Sequence, residues 1–342
     1  MAGSSEPTTW LLVHSPLLGP FSWTGVAKEL RERGATVLVP DLRSALKGGG
    51  AYAERQAELA AASAPESPVL LVGHSGAGPL LPAVAAALAE RGARLTAAVF
   101  VDAGLPHPGR SRRSTLPEAL AAHLDGLTID GWLPPWPQWW APEELAQLLP
   151  DPTSRVALVD DCHPLPIGLF EEPLPDGPVL TGGYVRLSET YADAADQAEQ
   201  LGWPVIRLDV DHLALLTRPA ELTERLIDAA AHASPAQNAA RLHVRRFNEA
   251  VRSGEWREFA DAFADDAVMR FTNVPVGPFV GRDAIARGYL EQPPDDTMTV
   301  QSVDETAPDT VRVRFRCDAG GDGTMRLRRR DGLIFDLAIT FD

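Results

Sequence analysis

The periodicity of this chain predicts an α/β fold, a doubly wound and mostly parallel sheet, followed by a smaller α+β domain. Apolar runs alternate with amphipathic helical stretches through the first two thirds, one of these runs stops at a glycine-rich turn around a serine, and the pattern changes after about residue 238. The runs Trp10–Val13, Val37–Val39, Val69–Val72, Ala97–Val101, Tyr184–Leu187 and Val205–Leu208 read as strands. Between them, Thr24–Arg33, Ala51–Ala62, Leu80–Arg91, Ala192–Leu201 and Ala220–Ala231 carry helical periodicity. Continuous apolar strands separated by helices are buried on both faces, as a parallel sheet requires. In such a sheet ligands bind beyond the carboxyl ends of the strands. His14, Ser75, Asp102, Glu189 and His212 fall there.

Bulk properties narrow the class. The 342 residues are 45% hydrophobic, long enough for two domains, and no apolar run nears the roughly 20 residues that span a bilayer. The opening Met1-Ala2-Gly3-Ser4-Ser5-Glu6-Pro7 lacks the basic and apolar regions of a signal peptide. Cys162 and Cys317 are the only cysteines, so a disulfide framework is excluded and a cytoplasmic setting is expected. A net charge of −16 disfavours nucleic acid and anionic membranes as partners. The acidic residues are scattered, so neither a metal site nor a cofactor is expected. Lysine occurs only at 28 and 47, which hints at a GC-rich bacterial source.

The segment Pro68-Val69-Leu70-Leu71-Val72-Gly73-His74-Ser75-Gly76-Ala77-Gly78 carries the strongest chemical signal. A strand that stops at Gly-X-Ser-X and passes at once into a helix holds its serine hydroxyl exposed above the sheet. Small residues at 73, 76 and 77 let the chain turn that tightly. Ser75 is therefore the candidate nucleophile.

With Leu12-Val13-His14-Ser15-Pro16, this elbow, Val99-Phe100-Val101-Asp102-Ala103-Gly104 and Asp209-Val210-Asp211-His212-Leu213, residues 8–232 resemble the α/β-hydrolase superfamily. His14-Ser15, Gly19-Pro20, Trp23 and Asp211–Thr217 look most like its small esterase and hydroxynitrile-lyase lineage. The resemblance implies His212 as general base, a role that suits histidine because free imidazole side chains titrate near neutral pH. The orienting acid is Asp102 or Glu189, the carboxylates after the two strands at which this superfamily places it. His14 and His74 are expected to shape the pocket. The implied oxyanion hole combines the Gly76 amide with an amide from the loop after the first strand. That second position is Pro16, which has no N–H. Either Leu17 or the Ser15 side chain replaces it, or a tetrahedral oxyanion is not stabilised in the ordinary way. A cyanohydrin lyase is disfavoured because Leu213 stands where those enzymes carry lysine.

Residues 105–178 break into proline, tryptophan and leucine, where a cap would be inserted. The run Trp132-Leu133-Pro134-Pro135-Trp136-Pro137-Gln138-Trp139-Trp140 is expected to pack the cap, with some rings facing a bulky apolar substrate.

Residues 233–239 read as a linker, and helices followed by strands then give an α+β pattern. Arg246-Phe247-Asn248-Glu249-Ala250, Ser253-Gly254-Glu255-Trp256, Phe263–Val268, Gly281–Ile285 and Gly332–Ala338 resemble the SnoaL-like, ketosteroid-isomerase-like cone shared with nuclear transport factor two. The isomerase residues do not carry over, since Phe247, Phe271 and Met325 occupy the Tyr, base and second Asp positions. Arg270, Asn273 and Arg282 are candidate polar contacts for a ligand in the cone, Asp265-Asp266 is expected to cap a turn, and Arg326–Arg330 is expected on a solvated strand face. A homodimer through this domain is the plainer expectation.

Together these readings predict a serine hydrolase for an ester, thioester or lactone with an apolar acyl part. The alternatives are a lyase or cyclase of secondary metabolism, acting on a polyketide-like substrate through Ser75 and His212 without an acyl-enzyme, and a binding protein with a decayed site.

Overall fold

The computed structural model describes residues 8–342. The chain divides into two compact units: the residues up to Ala198 with Pro204–Ala233, and Glu199–Trp203 with Ser234–Asp342.

The first unit is built on a wholly parallel sheet. Its strands are β1 (Thr9–Val13), β2 (Thr36–Leu38), β3 (Pro68–His74), β4 (Arg94–Val101), β5 (Gly182–Arg186) and β6 (Val205–Arg207), in the order β2-β1-β3-β4-β5-β6. The register sets Leu11 against Leu71, Val72 against Val99 and Val101 against Val185. Successive side chains point to opposite faces. Leu12, Val72, Val99, Val101 and Val185 therefore meet α1 (Thr24–Glu32) and α8 (Pro219–Ala231) in one buried cluster. On the other face, α2 (Tyr52–Ala62) packs beside α3 (Leu81–Glu90). A Cβ on Gly73 would lie 2.8 Å from Leu81 Cδ2, so glycine there lets the Leu81 side chain of α3 pack directly on β3. The apolar alternation with α7 (Ala192–Gln200) completes the expected elements, with ends shifted by a residue or a few.

The insert between β4 and β5 holds α4 (Glu118–Leu127), α5 (Pro142–Leu148), α6 (Pro152–Asp161) and a short antiparallel pairing of Trp132–Leu133 with Leu165–Pro166. Leu124, Leu133, Trp139, Leu165, Leu169 and Phe170 close its core over Leu46 and Tyr52. Trp139 is buried and donates its indole N–H to Pro134 O at 2.7 Å. Trp132 and Trp140 remain partly exposed.

The second unit begins sooner than the composition implied. Ser234 caps α9 (Pro235–Ser253) by accepting from Gln237 N, and Gln237 reaches back to Ser234 N. This capping box with proline at the first helical position turns most of the expected linker into the helix's first turn. Gly254, at φ 81°, ends it. Two further helices, α10 (Trp256–Ala260) and α11 (Arg282–Glu291), pack with a sheet of β7 (Phe263–Thr272), β8 (Phe279–Val280), β9 (Met298–Ala307), β10 (Thr310–Cys317), β11 (Asp322–Arg330) and β12 (Leu333–Phe341). Its order is β8-β7-β12-β11-β10-β9, antiparallel except between β12 and β7. Asp265 and Asp266 lie on strand β7, not at a helix-capping turn, and face outward to Arg282 and Arg330. Arg326, Arg328 and Arg330 alternate outward along β11, Arg326 toward Asp336 and the other two over the Phe335 ring.

Candidate active site

The sheet's carboxyl ends bring together residues far apart in sequence. Ser75 follows β3 directly and opens the 3₁₀ turn Ser75–Leu80, with φ at 56°. A non-glycine residue in the left-handed region costs on the order of 1–3 kcal/mol and persists only where its surroundings hold it. Here the neighbours do so. A Cβ on Gly78 would sit 2.1 Å from Gly104 O, so the turn is packed onto the loop after β4 and needs glycine there. At Gly76 the crowding comes from Ser15 Oγ, 3.2 Å from the position of an added Cβ.

Asp102 closes β4, also at positive φ (41°). Its side chain is fully buried. Oδ1 accepts from Leu187 N at 2.8 Å and Ser188 N at 2.9 Å, and Oδ2 accepts from Ser188 Oγ at 2.6 Å. His212 Nδ1 lies 2.7 Å from the same Oδ2, and His212 Nε2 lies 3.1 Å from Ser75 Oγ. A carboxylate accepts only, so it fixes the proton on Nδ1 and leaves Nε2 able to accept from the serine hydroxyl. Burial works against the Asp102 charge, but hydrogen bonds from His212 and Ser188 outweigh it and hold its pKa below the usual carboxylate range.

Glu189 is not part of this chain. Its side chain is 85% exposed and pairs with Arg186 at 2.5 Å. The reason is local: the amides of Leu187 and Ser188, just ahead of Glu189, turn inward to hold Asp102, while Glu189 begins a 3₁₀ turn on the surface.

The two neighbouring histidines act on structure. His74 Nε2 donates to His212 O at 3.0 Å, and its ring lies 4.6 Å from the His212 ring. Burial, then the neighbouring His212, push its pKa down to about 3, so it is neutral at pH 7. His14 Nδ1 donates to Ser15 O at 2.8 Å and its Nε2 accepts from Leu42 N at 3.1 Å. It ties the loop after β1 to the one after β2, away from the cavity. Burial pushes its pKa down to about 4.

Tyr191 and Ser188 are the residues that sequence reasoning missed. The Tyr191 hydroxyl is 3.3 Å from Ser75 Oγ and its ring stacks on His212, centroids 5.3 Å apart and 8° from parallel. Burial raises its pKa, so the hydroxyl stays protonated. The only signal in the sequence is position: both follow β5, on the same loop as Glu189.

Ser75, Gly76, Tyr191 and His212 line a cavity of about 750 Å³, together with Pro16, Leu17 and the cap's Leu120, Trp136 and Trp139. Ser15 lies behind this wall, its Oγ 3.3 Å from the Leu17 amide that donates to it. Leu17 N is thus turned toward Ser15, and Pro16 has no N–H to offer.

The second unit encloses an apolar cavity of about 260 Å³ lined by Phe247, Phe271 and Met325 among others. His243 and Tyr289 are polar groups in that wall, and the Tyr289 hydroxyl contacts Met269 Sδ at 3.4 Å. Arg270, Asn273 and Arg282 do not line it. Arg270 pairs with Asp336, Asn273 donates to Phe341 O, and Arg282 donates to Phe263 O. Arg270 lies outside because the alternation along β7 turns it away from the core that holds Met269. Among the described residues, no group of three or more His, Cys, Asp and Glu is arranged to hold a metal ion, and no helix is long and apolar enough to cross a membrane.

The model of the alpha/beta hydrolase family matches residues 10–225, well over half of the chain. The chain belongs to the alpha/beta hydrolase family. Residues 244–337 match the SnoaL-like domain. A carbendazim hydrolyzing esterase of Nocardioides sp. (strain SG-4G) is 26% identical over 249 residues, covering 64% of this chain and 97% of that protein. Among solved structures, an extracellular alpha/beta-hydrolase from a Paenibacillus species superposes with a TM-score of 0.53 at 20% identity, covering 65% of this chain and 99% of its own. A pyrethroid hydrolase from Sphingobium faniae JZ-2 gives 0.50 at 19%, covering 66% and 97%. These structures share the alpha/beta hydrolase fold with the first unit, in which Ser75 stands between strand β3 and the turn that leads into α3.

Proposed function

We propose that this alpha/beta hydrolase cleaves an ester, thioester or lactone with an apolar acyl part, through Ser75, His212 and Asp102. The unbroken run of contacts from Asp102 Oδ2 to His212 Nδ1 (2.7 Å), and from His212 Nε2 to Ser75 Oγ (3.1 Å), supports the reading. Ser75 Oγ attacks the acyl carbon while its proton passes to His212 Nε2. That proton then goes to the departing oxygen or sulfur, and the acyl group stays on Ser75. Water attacks the acyl-enzyme by the same route in reverse, and Ser75 regains its proton. Asp102 holds the ring and stabilises its charged form. The cap residues Leu120, Trp136 and Trp139 suit an apolar acyl chain.

Tyr191 takes up part of the role that Pro16 vacates. Besides His212, its hydroxyl is the side-chain partner of Ser75 Oγ. It is a neutral donor placed to hydrogen-bond an oxygen of the reacting ester, next to the Gly76 amide. Pro16 also favours one other reading, in which Ser75 and His212 move protons for a lyase or cyclase and no acyl-enzyme forms. Intact mass after treatment with a fluorophosphonate separates the two. The hydrolase reading expects one adduct that Ser75→Ala loses. Absence of any adduct on folded wild-type protein overturns it and leaves the proton-transfer reading.

A further inference from the structure

The wall of the Ser75 cavity contains a buried cation with no anionic partner. Arg112, in the insert just before the turn Arg113–Thr115, is 7% exposed and lines the cavity. Its Nη2 donates to Gly76 O at 3.3 Å, the carbonyl of the residue after the nucleophile. Nε and Nη1 are buried with no hydrogen-bond partner. Neighbouring arginines are paired: Arg43 with Asp161, Arg113 with Asp125, Arg186 with Glu189. Arg112 has no such pair among the described residues. Glu172, whose charge acts on it, spends its own oxygens on Tyr52 N at 3.0 Å and Ala53 N at 2.8 Å. Glu144 also lines the cavity, and its carboxylate accepts from Ala141 N at 2.8 Å.

A guanidinium keeps its charge at neutral pH even where burial opposes it, and burial lowers the Arg112 pKa only to about 10. Buried charges in proteins are ordinarily paired and hydrogen-bonded. An unpaired one on the wall of a substrate cavity leaves N–H groups whose hydrogen bonds an anion reaching that wall would complete. His107 Nδ1, in the same wall, is likewise buried without a partner.

Building on the hydrolase reading, we infer that the cavity takes an ester whose acyl chain carries a second, ionised carboxylate, bound by the free N–H groups of Arg112. The apolar cap residues then hold the methylenes between the two ends. The anion is selected against the chain's overall negative charge, so recognition depends on this one cation.

The test compares 4-nitrophenyl butyrate with mono-4-nitrophenyl glutarate, which adds a carboxylate at the far end of the acyl chain. The wild-type chain is expected to favour the glutarate ester at least tenfold in kcat/KM. Arg112→Met should cut that preference by about 10- to 100-fold, chiefly through KM, the size of a charge-assisted hydrogen bond. Arg112→Lys, which keeps the charge and serves if the methionine variant fails to fold, should retain part of the preference. No preference in the wild type, or an equal fall for both esters in Arg112→Met, overturns the inference and leaves Arg112 as a strut for Gly76. If the folded wild type cleaves neither ester, the hydrolase reading fails, and calorimetry with glutarate on Ser75→Ala decides the subsite separately. Glutarate binding that Arg112→Met abolishes sustains the carboxylate subsite; no binding at millimolar glutarate overturns it.

Discussion

Each unit holds a histidine on a cavity wall, half-buried His212 in the first and buried His243 in the second, and their surroundings differ sharply. In the first unit, His212 is bonded at both ring nitrogens, to Asp102 and to Ser75. In the second, His243 packs against the Phe259 and Phe263 rings, and its Nδ1 has no partner. The carboxylates differ in the same way. Asp102 is enclosed by backbone and hydroxyl donors at the end of a parallel strand, whereas Asp336, also buried, is covered by the half-exposed Arg270 and Arg326. A parallel sheet gathers every strand's carboxyl end at one edge, so serine, acid and histidine meet there. The antiparallel sheet of the cone spreads its polar residues along an outer face and leaves Phe247, Phe271 and Met325 inside. Topology decides which histidine meets a serine and a carboxylate.

The largest expected effect follows from that contrast. His212→Ala should lower aryl-ester turnover by on the order of 10⁵-fold, as loss of a triad member does elsewhere. His243→Leu should leave turnover within about twofold. Steady-state rates on one batch of each variant check both. A matching loss in His243→Leu would mean that the second unit takes part in the chemistry.

The acid gives the next effect. Asp102→Asn should cost about 10⁴-fold, because an amide in place of the carboxylate leaves His212 in the wrong tautomer. Glu189→Gln should change little, since its side chain is exposed and bonded to Arg186. A large loss in Glu189→Gln with a mild one in Asp102→Asn would reverse the assignment. Smaller still is the Tyr191→Phe effect, expected at about 10- to 1,000-fold in kcat, the range for a single donor to a developing oxyanion. An unchanged kcat would return that role to the Leu17 amide, released from Ser15 when substrate binds.

The strands and helices of the first unit were legible because buried parallel strands leave continuous apolar runs. The meeting of Ser75 with His212 was legible because the elbow and the residue after the last strand have a fixed place in this fold. Which carboxylate joins them was not. Both Asp102 and Glu189 follow strands, and choosing between them needs to know that the Leu187 and Ser188 amides point inward, a matter of backbone direction that no residue type encodes. The linker was misread for a similar reason. Ser234, Pro235 and Gln237 look like loop composition until they are read together as a capping box. In the cone, Arg270 and Arg282 looked like pocket residues because their motif neighbours are; strand alternation puts Arg270 outside, and Arg282 reaches the Phe263 carbonyl.

The smallest effect concerns stability, and here the two histidine environments converge. His14 in the first unit and His243 in the second are both neutral, with burial pushing each pKa from 6.5 to about 4. In the unfolded chain each ring titrates near 6.5. A folded pKa below the unfolded one means that the unfolded state binds more protons between the two values. Stability is therefore full above pH 6.5 and falls as the pH drops toward 4. The loss is on the order of 3 kcal/mol for each fully buried ring by pH 4. At pH 5.5 unfolding should take up protons, read as the slope of unfolding free energy against pH from urea titrations. His243→Leu should lower that uptake by nearly one proton and leave the His14 contribution in place. A slope that the substitution does not change would show that His243 is charged in the folded cone, in contact with water that its packing against Phe259 and Phe263 excludes.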